Sequence, residues 1–120
     1  MVDESNSIPE WDTRLALDNI DGDPADLKEL LEIWLTQEPV LISRIQAALE
    51  NQDTAQLHLA AHTLKGSLKL FGFLGASSKA QQMENAGKSG QIAEGAKILQ
   101  LLENELRLVS HHVQGFLATN

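Results

Sequence analysis

The chain has 120 residues, the length of one domain, and 42% of them are hydrophobic but only 4% aromatic, so its core must be aliphatic. Seventeen acidic against nine basic residues give a formal net charge of -8, which argues against binding to nucleic acid or to anionic membranes, because phosphate groups attract basic surfaces. The absence of cysteine excludes disulfide frameworks, thiolate zinc sites and cysteine nucleophiles.

The N-terminal residues 1–8 are polar and acidic, and they lack the basic start and the apolar stretch of a signal peptide. No segment of the sequence approaches the roughly 20 consecutive apolar residues that are needed to span a bilayer. We therefore expect a cytoplasmic protein that does not enter membranes. Residues 1–8 are predicted to form a flexible tail, and residues 9–120 a single helical domain.

Leucine, alanine, glutamate and glutamine dominate the chain and favour helices, whereas the β-branched and aromatic residues that strands prefer are sparse. A short first helix is predicted over residues 9–19, with a proline in its opening turn. The sequence Asp-Gly-Asp-Pro then breaks the chain before a second helix, in which Asp23 is the predicted N-cap and Pro24 the first helical residue. Pro39 interrupts the apolar pattern that follows, so one kinked helix and two consecutive helices both fit.

Three further helices are predicted. The third covers residues 54–70, where Asp53 opens a pattern that resembles a capping box. The fourth covers residues 76–86 and is expected to end at Gly87. The last covers residues 91–117, in which apolar residues recur in steps of three and four. Four substantial helices joined by short loops predict an all-α fold, an antiparallel four-helix bundle with a short N-terminal helix.

The third helix carries the most informative residues. At about 100° per residue, four charged or titratable side chains fall on one narrow stripe of this helix: His58, His62, Lys65 and Lys69. The buried face of the same helix is predicted to consist of Leu57, Ala60, Ala61, Leu64, Leu68 and Phe71. His62 is therefore expected to face solvent, between a second histidine and two lysines.

Gly66 lies in the middle of this helix, where glycine costs about 1 kcal/mol relative to alanine. Helical side chains lean toward the N-terminus, so a side chain at this position would lean over the ring of His62. We interpret the glycine as a feature that leaves the ring open to a large partner. The alternative is that it allows a neighbouring helix to approach closely.

The segment 61–67, Ala-His-Thr-Leu-Lys-Gly-Ser, followed by Phe71 and Gly72, resembles the signature of histidine-containing phosphotransfer (HPt) domains. The similarity continues through Gln-Gln-Met-Glu-Asn-Ala-Gly at residues 81–87 and covers most of the chain from Ile8 onward. HPt domains are four-helix bundles that accept a phosphoryl group from a response-regulator aspartate and pass it to another. The resemblance therefore implies a phosphorelay intermediate of two-component signal transduction, with receiver domains, a hybrid histidine kinase, or both as partners.

By this resemblance His62 would be the phosphorylated residue, and a neutral imidazole is a good nucleophile near neutral pH. Lys65, one turn away, is expected to offset charge on the phosphoryl oxygens. Glu84 lies where the family often has a glutamine or glutamate that is hydrogen-bonded to the active histidine. Accepting a proton from Nδ1–H would fix the tautomer and raise the basicity of Nε2. The alternative for Glu84 is an ordinary solvated glutamate.

Binding roles are predicted for several residues around the histidine. Lys69 would guide docking, and Leu59 and Leu70 would form an apolar rim that a partner buries; the alternative for these two leucines is peripheral core. His58 could help docking or contact the phosphoryl group, or it could be a solvated residue. Leu70 and Leu68 depart from the family pattern, which often has small or polar residues at these positions, and Leu68 is expected simply to pack.

Two other classes of function compete with this one. His58 and His62 have the spacing of metal ligands on a helix, and the residues that could complete such a site are Glu84, His111 and His112. The zincin glutamate is missing, however, and the two lysines on the same stripe oppose a cation. The second alternative is a helical interaction module that binds a receiver domain without being phosphorylated.

A kinase is excluded, because the sequence has no glycine-rich nucleotide loop and no room for an ATP-binding domain. We expect a monomer that needs no cofactor of its own and binds no metal. The partner receiver would supply the aspartate and a divalent metal ion.

Overall fold

The computed structural model describes residues 9–119, so the predicted flexible tail lies outside the described residues. It contains five α-helices: α1 (Thr13–Ile20), α2 (Pro24–Glu50), α3 (Thr54–Leu70), α4 (Leu74–Ser89) and α5 (Ile92–Ala118). Helices α2 to α5 form the predicted bundle, in which α3 packs most extensively against α4. The all-α prediction is confirmed. Within the described part of the chain, no helix is both long and apolar enough to cross a membrane.

The first helix is shorter than predicted. It begins at Thr13 rather than at Pro9, because the side chain of Asp12 caps it by accepting a hydrogen bond from a backbone N–H. The residues before it run beside the turn between α3 and α4, where the N–H of Asp12 donates to the carbonyl of Gly72 at 2.8 Å. Gly72 has a φ of 77°, and a Cβ atom there would lie 2.1 Å from the Asp12 carbonyl oxygen. Only glycine therefore allows this contact.

Helix α2 runs through Pro39 as one helix of 27 residues, which decides between the two readings of its sequence. The proline is exposed, so the interruption of the hydrogen-bond ladder faces water. Asp23 and Pro24 begin the helix as predicted, and the side chains of Asp23 and Asp26 each accept a hydrogen bond from the other's backbone N–H. The start of this long helix is therefore well defined.

The bounds of α3 are those predicted, whereas α4 is longer than predicted at both ends. It begins at Leu74 and ends at Ser89. The prediction that it ends at Gly87 is wrong, because Gly87 is a buried residue inside the helix. The C-cap is instead Gly90, whose φ of 71° gives the left-handed conformation that ends a helix.

The core is mainly aliphatic, as the composition indicates, although Trp34, Phe71 and Phe73 are also buried in it, and all the residues predicted for the inner face of α3 are buried. The aromatic residues gather in one cluster near the turn between α3 and α4: Trp11, Trp34, Phe71, Phe73 and Phe116. In addition, the indole N–H of Trp11 donates to the carbonyl of Phe71 at 2.9 Å. This cluster anchors the end of the bundle at which α3 and α4 meet, and so helps to hold these two helices together.

Candidate functional site

His62 lies near the middle of α3, and its side chain is 61% exposed. Its solvent-facing position follows from the packing of α3, whose leucines and alanines turn toward the core and leave the opposite side to water. The imidazole is therefore accessible to a large partner, while the opposite face of the same helix is buried in the core.

Glu84 on α4 reaches His62. Its Oε1 lies 3.0 Å from the Nδ1 of His62, which is hydrogen-bond distance. The residue is only 3% exposed, so it is not the solvated glutamate of the alternative reading. A carboxylate can only accept, so this contact places the proton of a neutral imidazole on Nδ1 and leaves Nε2 with a free lone pair.

Lys65 does not extend freely along the exposed stripe. Its side chain is only 14% exposed, and its Nζ lies 2.7 Å from Oε2 of Glu84. The same ammonium donates to Oε1 of Gln81 at 3.0 Å, and the Gln81 amide donates to Asn85 at 3.1 Å. Sequence reasoning missed Gln81, although its position three residues before Glu84 on the same face of α4 was a usable signal.

The contacts of Glu84 keep its carboxyl group ionised. The hydrogen bond from Lys65 holds the pKa of Glu84 below its usual range, and the hydrogen bond with His62 acts in the same direction against the effect of burial. An ionised acceptor favours the Nδ1–H tautomer and strengthens the lone pair on Nε2. The arrangement thus prepares one imidazole nitrogen for attack on an electrophile.

His58 lies one turn before His62 on α3, with its ring centroid 6.2 Å from that of His62 and the two ring planes inclined by 22°. It is half-buried rather than solvated. Among the residues described, its Nδ1 is buried and has no hydrogen-bond partner. Its Nε2 is therefore the nitrogen through which a docking or phosphoryl contact would be made.

The two glycines nearest the site have different surroundings. A Cβ atom at Gly66 would meet no heavy atom within 4 Å in the described part of the chain, so no neighbouring helix approaches there and the surface beside His62 is open. The close approach of helices occurs at Gly87, where a Cβ atom would lie 2.7 Å from the backbone nitrogen of His58. The alternative offered for Gly66 therefore applies to Gly87 instead.

An exposed apolar surface borders His62 on the side of α2. Leu59 is 55% and Leu70 41% exposed, so neither is peripheral core. Helix α2 adds Val40, which is about half exposed and which the sequence analysis did not assign to the site; Ile33, on the same helix, is about half exposed as well. Val40 also lines a cavity of about 320 Å³ together with Thr63, the neighbour of His62. Ile33 and Val40 are seven residues apart, which is two turns of α2, and this spacing on one face of the helix was the available signal.

The hairpin of α3 and α4 also has a distinctive charge. Its only acid is Glu84, which is buried and paired, whereas it carries Lys65, Lys69, Lys79 and Lys88. The other sixteen of the seventeen acids lie elsewhere in the chain. The helices that carry the site are thus basic within an acidic protein.

Of the residues suggested for completing a metal site, only Glu84 contacts His62. His111 and His112 lie on α5, and within residues 9–119 no three potential ligands form a cluster that could hold a metal ion. The carboxylate of Glu84 is already shared between Lys65 and His62. The arrangement therefore suits an anionic group at His62 better than a cation.

Comparison with known proteins agrees with this geometry. A family model described as Hpt domain matches residues 29–112. The structure is similar to the crystal structure of histidine-containing phosphotransfer protein B (HptB) from Pseudomonas aeruginosa PAO1, with a TM-score of 0.84 and 19% sequence identity over 92% of this chain and 96% of that chain. That likeness supports the fold, and no curated protein matches the sequence significantly. The match to the family model shows that the chain belongs to the histidine-containing phosphotransfer domain family.

Proposed function

We propose that this phosphotransfer protein of two-component signalling is a relay intermediate that accepts a phosphoryl group on His62 from a receiver aspartate and passes it to another receiver. Family membership supports the general role. The observation that carries the specific assignment is the 3.0 Å contact between Nδ1 of the exposed His62 and the buried, ionised Glu84. The protein would act as a carrier without an ATP-binding kinase domain.

The proposed chemistry is a reversible displacement at phosphorus. The lone pair of Nε2 of His62 forms a bond to the phosphorus of an aspartyl phosphate, and the bond from phosphorus to the aspartate oxygen breaks, which releases the carboxylate. The Nδ1 proton stays in the hydrogen bond to Glu84, whose negative charge stabilises the positive charge that develops on the ring. In the reverse direction, a receiver carboxylate attacks the phosphohistidine.

Lys65 is proposed to stabilise the phosphoryl group electrostatically. The phosphoryl group would add about -1.5 to -2 charges beside Glu84, and the Lys65 ammonium already lies 2.7 Å from Oε2 of that glutamate. It would balance the two anionic groups from its place on the same stripe of α3. Gln81 would hold the ammonium there through the 3.0 Å hydrogen bond.

The proposed partner surface combines apolar and basic residues. Leu59 and Leu70, together with the exposed apolar residues of α2, would be buried by a receiver domain, and Gly66 would leave space for it beside His62. Lys69 and His58 would border this surface. A receiver that brings an aspartate and a divalent metal ion would approach a hairpin without exposed acids, so the charges favour association.

A phosphorylation assay with two donors tests this function. The protein is mixed with a phosphorylated receiver domain or with phosphoramidate, and phosphate that is labile in acid and stable in base is measured. We expect label in the parent and in the matched control His112→Gln, and none in His62→Gln. Equal label in His62→Gln would contradict the assignment.

A chase with unphosphorylated receiver tests the relay step. The purified phosphorylated protein should lose its label as the receiver gains it. Receiver binding without any labelling of the protein would favour the non-phosphorylated interaction module. The same preparation, analysed by light scattering, tests the expected monomer.

A further inference from the structure

Gly87 allows an unusually close contact between α3 and α4. It lies inside α4 and is buried. A Cβ atom at this position would lie 2.7 Å from the backbone nitrogen of His58 and 3.0 Å from its Cα. Backbone atoms in the middle of a packed helix cannot turn aside as the end of a flexible side chain can. Only glycine therefore fits with the two helices at their observed separation.

This contact lies beside the proposed catalytic pair on both helices. Gly87 is three residues after Glu84 on α4, and His58 is four residues before His62 on α3, which corresponds to about 4.5 Å and 6 Å along the helix axes. An increase in helix separation at the contact would therefore be transmitted to the site. The His62–Glu84 hydrogen bond measures 3.0 Å, and it would be lost if it lengthened to about 3.6 Å.

We propose that Gly87 is a positioning residue, which sets the separation of α3 and α4 at which Glu84 reaches Nδ1 of His62. The role rests on the proposed function, because this hydrogen bond matters to phosphotransfer only if His62 receives the phosphoryl group. Gly87 itself touches neither the ring of His62 nor any group that would react. It acts through the position of Glu84.

Alanine at this position would force the helices apart. An ordinary contact of 3.4 Å requires a shift of about 0.7 Å from the 2.7 Å that the Cβ atom of Gly87→Ala would have. Glu84 would then lose its reach to His62, and the two neutral tautomers of the ring would become more equally populated. Fewer molecules would have a free lone pair on Nε2, so phosphorylation would slow while the bundle persists.

The test compares Gly87→Ala with Gly115→Ala. Gly115 lies in α5, and within the described residues a Cβ atom there would meet nothing within 4 Å, so this control adds the same methyl group without a contact. Nitrogen-15 NMR of the His62 ring reports the tautomers, and phosphoramidate serves as the phosphoryl donor. We expect Gly87→Ala to lose the Nδ1–H preference and to react about tenfold more slowly, the size typical of a lost orienting partner. Gly115→Ala should behave as the parent does.

A double variant shows whether the effect acts through Glu84. Once Glu84→Ala has removed the carboxylate, adding Gly87→Ala should cause no further loss of rate. A further independent loss would overturn the proposal, as would a Gly87→Ala protein with parental tautomers and rate. Should this variant unfold, the tautomers are measured in sucrose, which favours the compact state.

These outcomes separate the two proposals. If the parent took up no phosphate on His62, the proposed function would fail. The tautomer measurement would still decide whether Gly87 positions Glu84.

Discussion

Glu84 is buried and Glu38 is half-buried, and the pKa values of their carboxyl groups are shifted in opposite directions on the two faces of the bundle. On the α3–α4 face, a hydrogen bond from Lys65 holds the pKa of Glu84 below its usual range. On the opposite side, burial raises the pKa of Glu38, and the negative charge of Glu103 raises it further. Burial alone therefore does not make a functional carboxylate.

The surroundings of the two carboxyl groups account for the difference. Glu38 and Glu103 line a cavity of about 540 Å³ between α2 and α5, together with Arg107 and His111. Among residues 9–119, however, no ion pair joins Arg107 to either glutamate. On the site face, by contrast, a lysine is held against the carboxylate. The comparison indicates that the fixed cation is what makes a buried glutamate available as an ionised hydrogen-bond acceptor.

Removing the positive charge of Lys65, which pairs with Glu84, should have the largest effect on the free energy of unfolding. In Lys65→Met, Glu84 would be left as a buried carboxylate without its main partner, which is expected to cost about 3 kcal/mol of the free energy of unfolding. Urea unfolding at neutral pH measures this cost. Lys97→Met, at an exposed position on α5, is the matched control and should change stability by less than about 0.5 kcal/mol. If the two variants were equally stable, the ion pair between Lys65 and Glu84 would not stabilise the folded protein as proposed.

Removing the charge of Glu84 while keeping its shape should have the next largest effect. Glu84→Gln keeps an oxygen that can accept from His62, but loses the negative charge that stabilises the developing imidazolium. We expect phosphorylation by phosphoramidate to slow about tenfold, or about 1.4 kcal/mol in the activation barrier. The matched change on the other face, Glu38→Gln, should leave this rate unchanged. A similar loss of rate in Glu38→Gln would show that the effect is not specific to the carboxylate beside His62.

The apolar rim should contribute less, and only when a receiver is present. Leu59→Ser is expected to weaken receiver binding by about 1 kcal/mol, because one exposed leucine would no longer be buried at the interface. Its phosphorylation by phosphoramidate should be unaltered. Leu101→Ser removes an equally exposed leucine from α5 and should alter neither property. Titration calorimetry with a receiver domain measures the difference between the two variants.

Features that depend on local sequence could be predicted, as α3 demonstrates. Its bounds and its buried face follow from the spacing of leucines and alanines along one helix. Asp23 and Pro24 are equally local signals, and they mark the start of α2 correctly. The exposed position of His62 could be read in the same way, since it depends only on the angle between residues of a single helix.

Features that depend on how helices meet could not be predicted. Gly87 and Gly90 are close in sequence and chemically identical, yet the first allows α3 to approach and the second ends α4. Which role a glycine takes depends on the neighbouring helix. For the same reason Lys65 could be placed on the stripe. The spacing of Gln81 and Glu84 puts both on one face of α4, but it could not show that Lys65 bonds to Gln81, because that contact crosses from one helix to the other.

The smallest expected effect is the one that tests the comparison through pH. The pKa of Glu38 is raised in the folded protein, so the folded state binds the proton of this carboxyl group more tightly than the unfolded state does. The group therefore stabilises the folded protein fully at pH values below its unfolded pKa. This stabilisation is lost as the pH rises through its folded pKa. Glu38→Gln should therefore be more stable than the parent at neutral pH, by about 0.5 kcal/mol for such a partly exposed group, and should lose this advantage in acid. Glu84 has the opposite sign: its pKa is lowered, so its stabilisation is present above the unfolded pKa and disappears as the pH falls through the folded pKa.

The free energies of unfolding of the parent, Glu38→Gln and Glu84→Gln can be measured in urea across a pH series. The difference between each variant and the parent, plotted against pH, should have opposite slopes for the two variants. The slopes depend on whether each carboxyl group binds its proton more tightly in the folded or in the unfolded state. If the free energy of unfolding of Glu38→Gln changed with pH as that of the parent does, Glu38 would be an ordinary solvated residue. The contrast between the two faces would then rest on Glu84 alone.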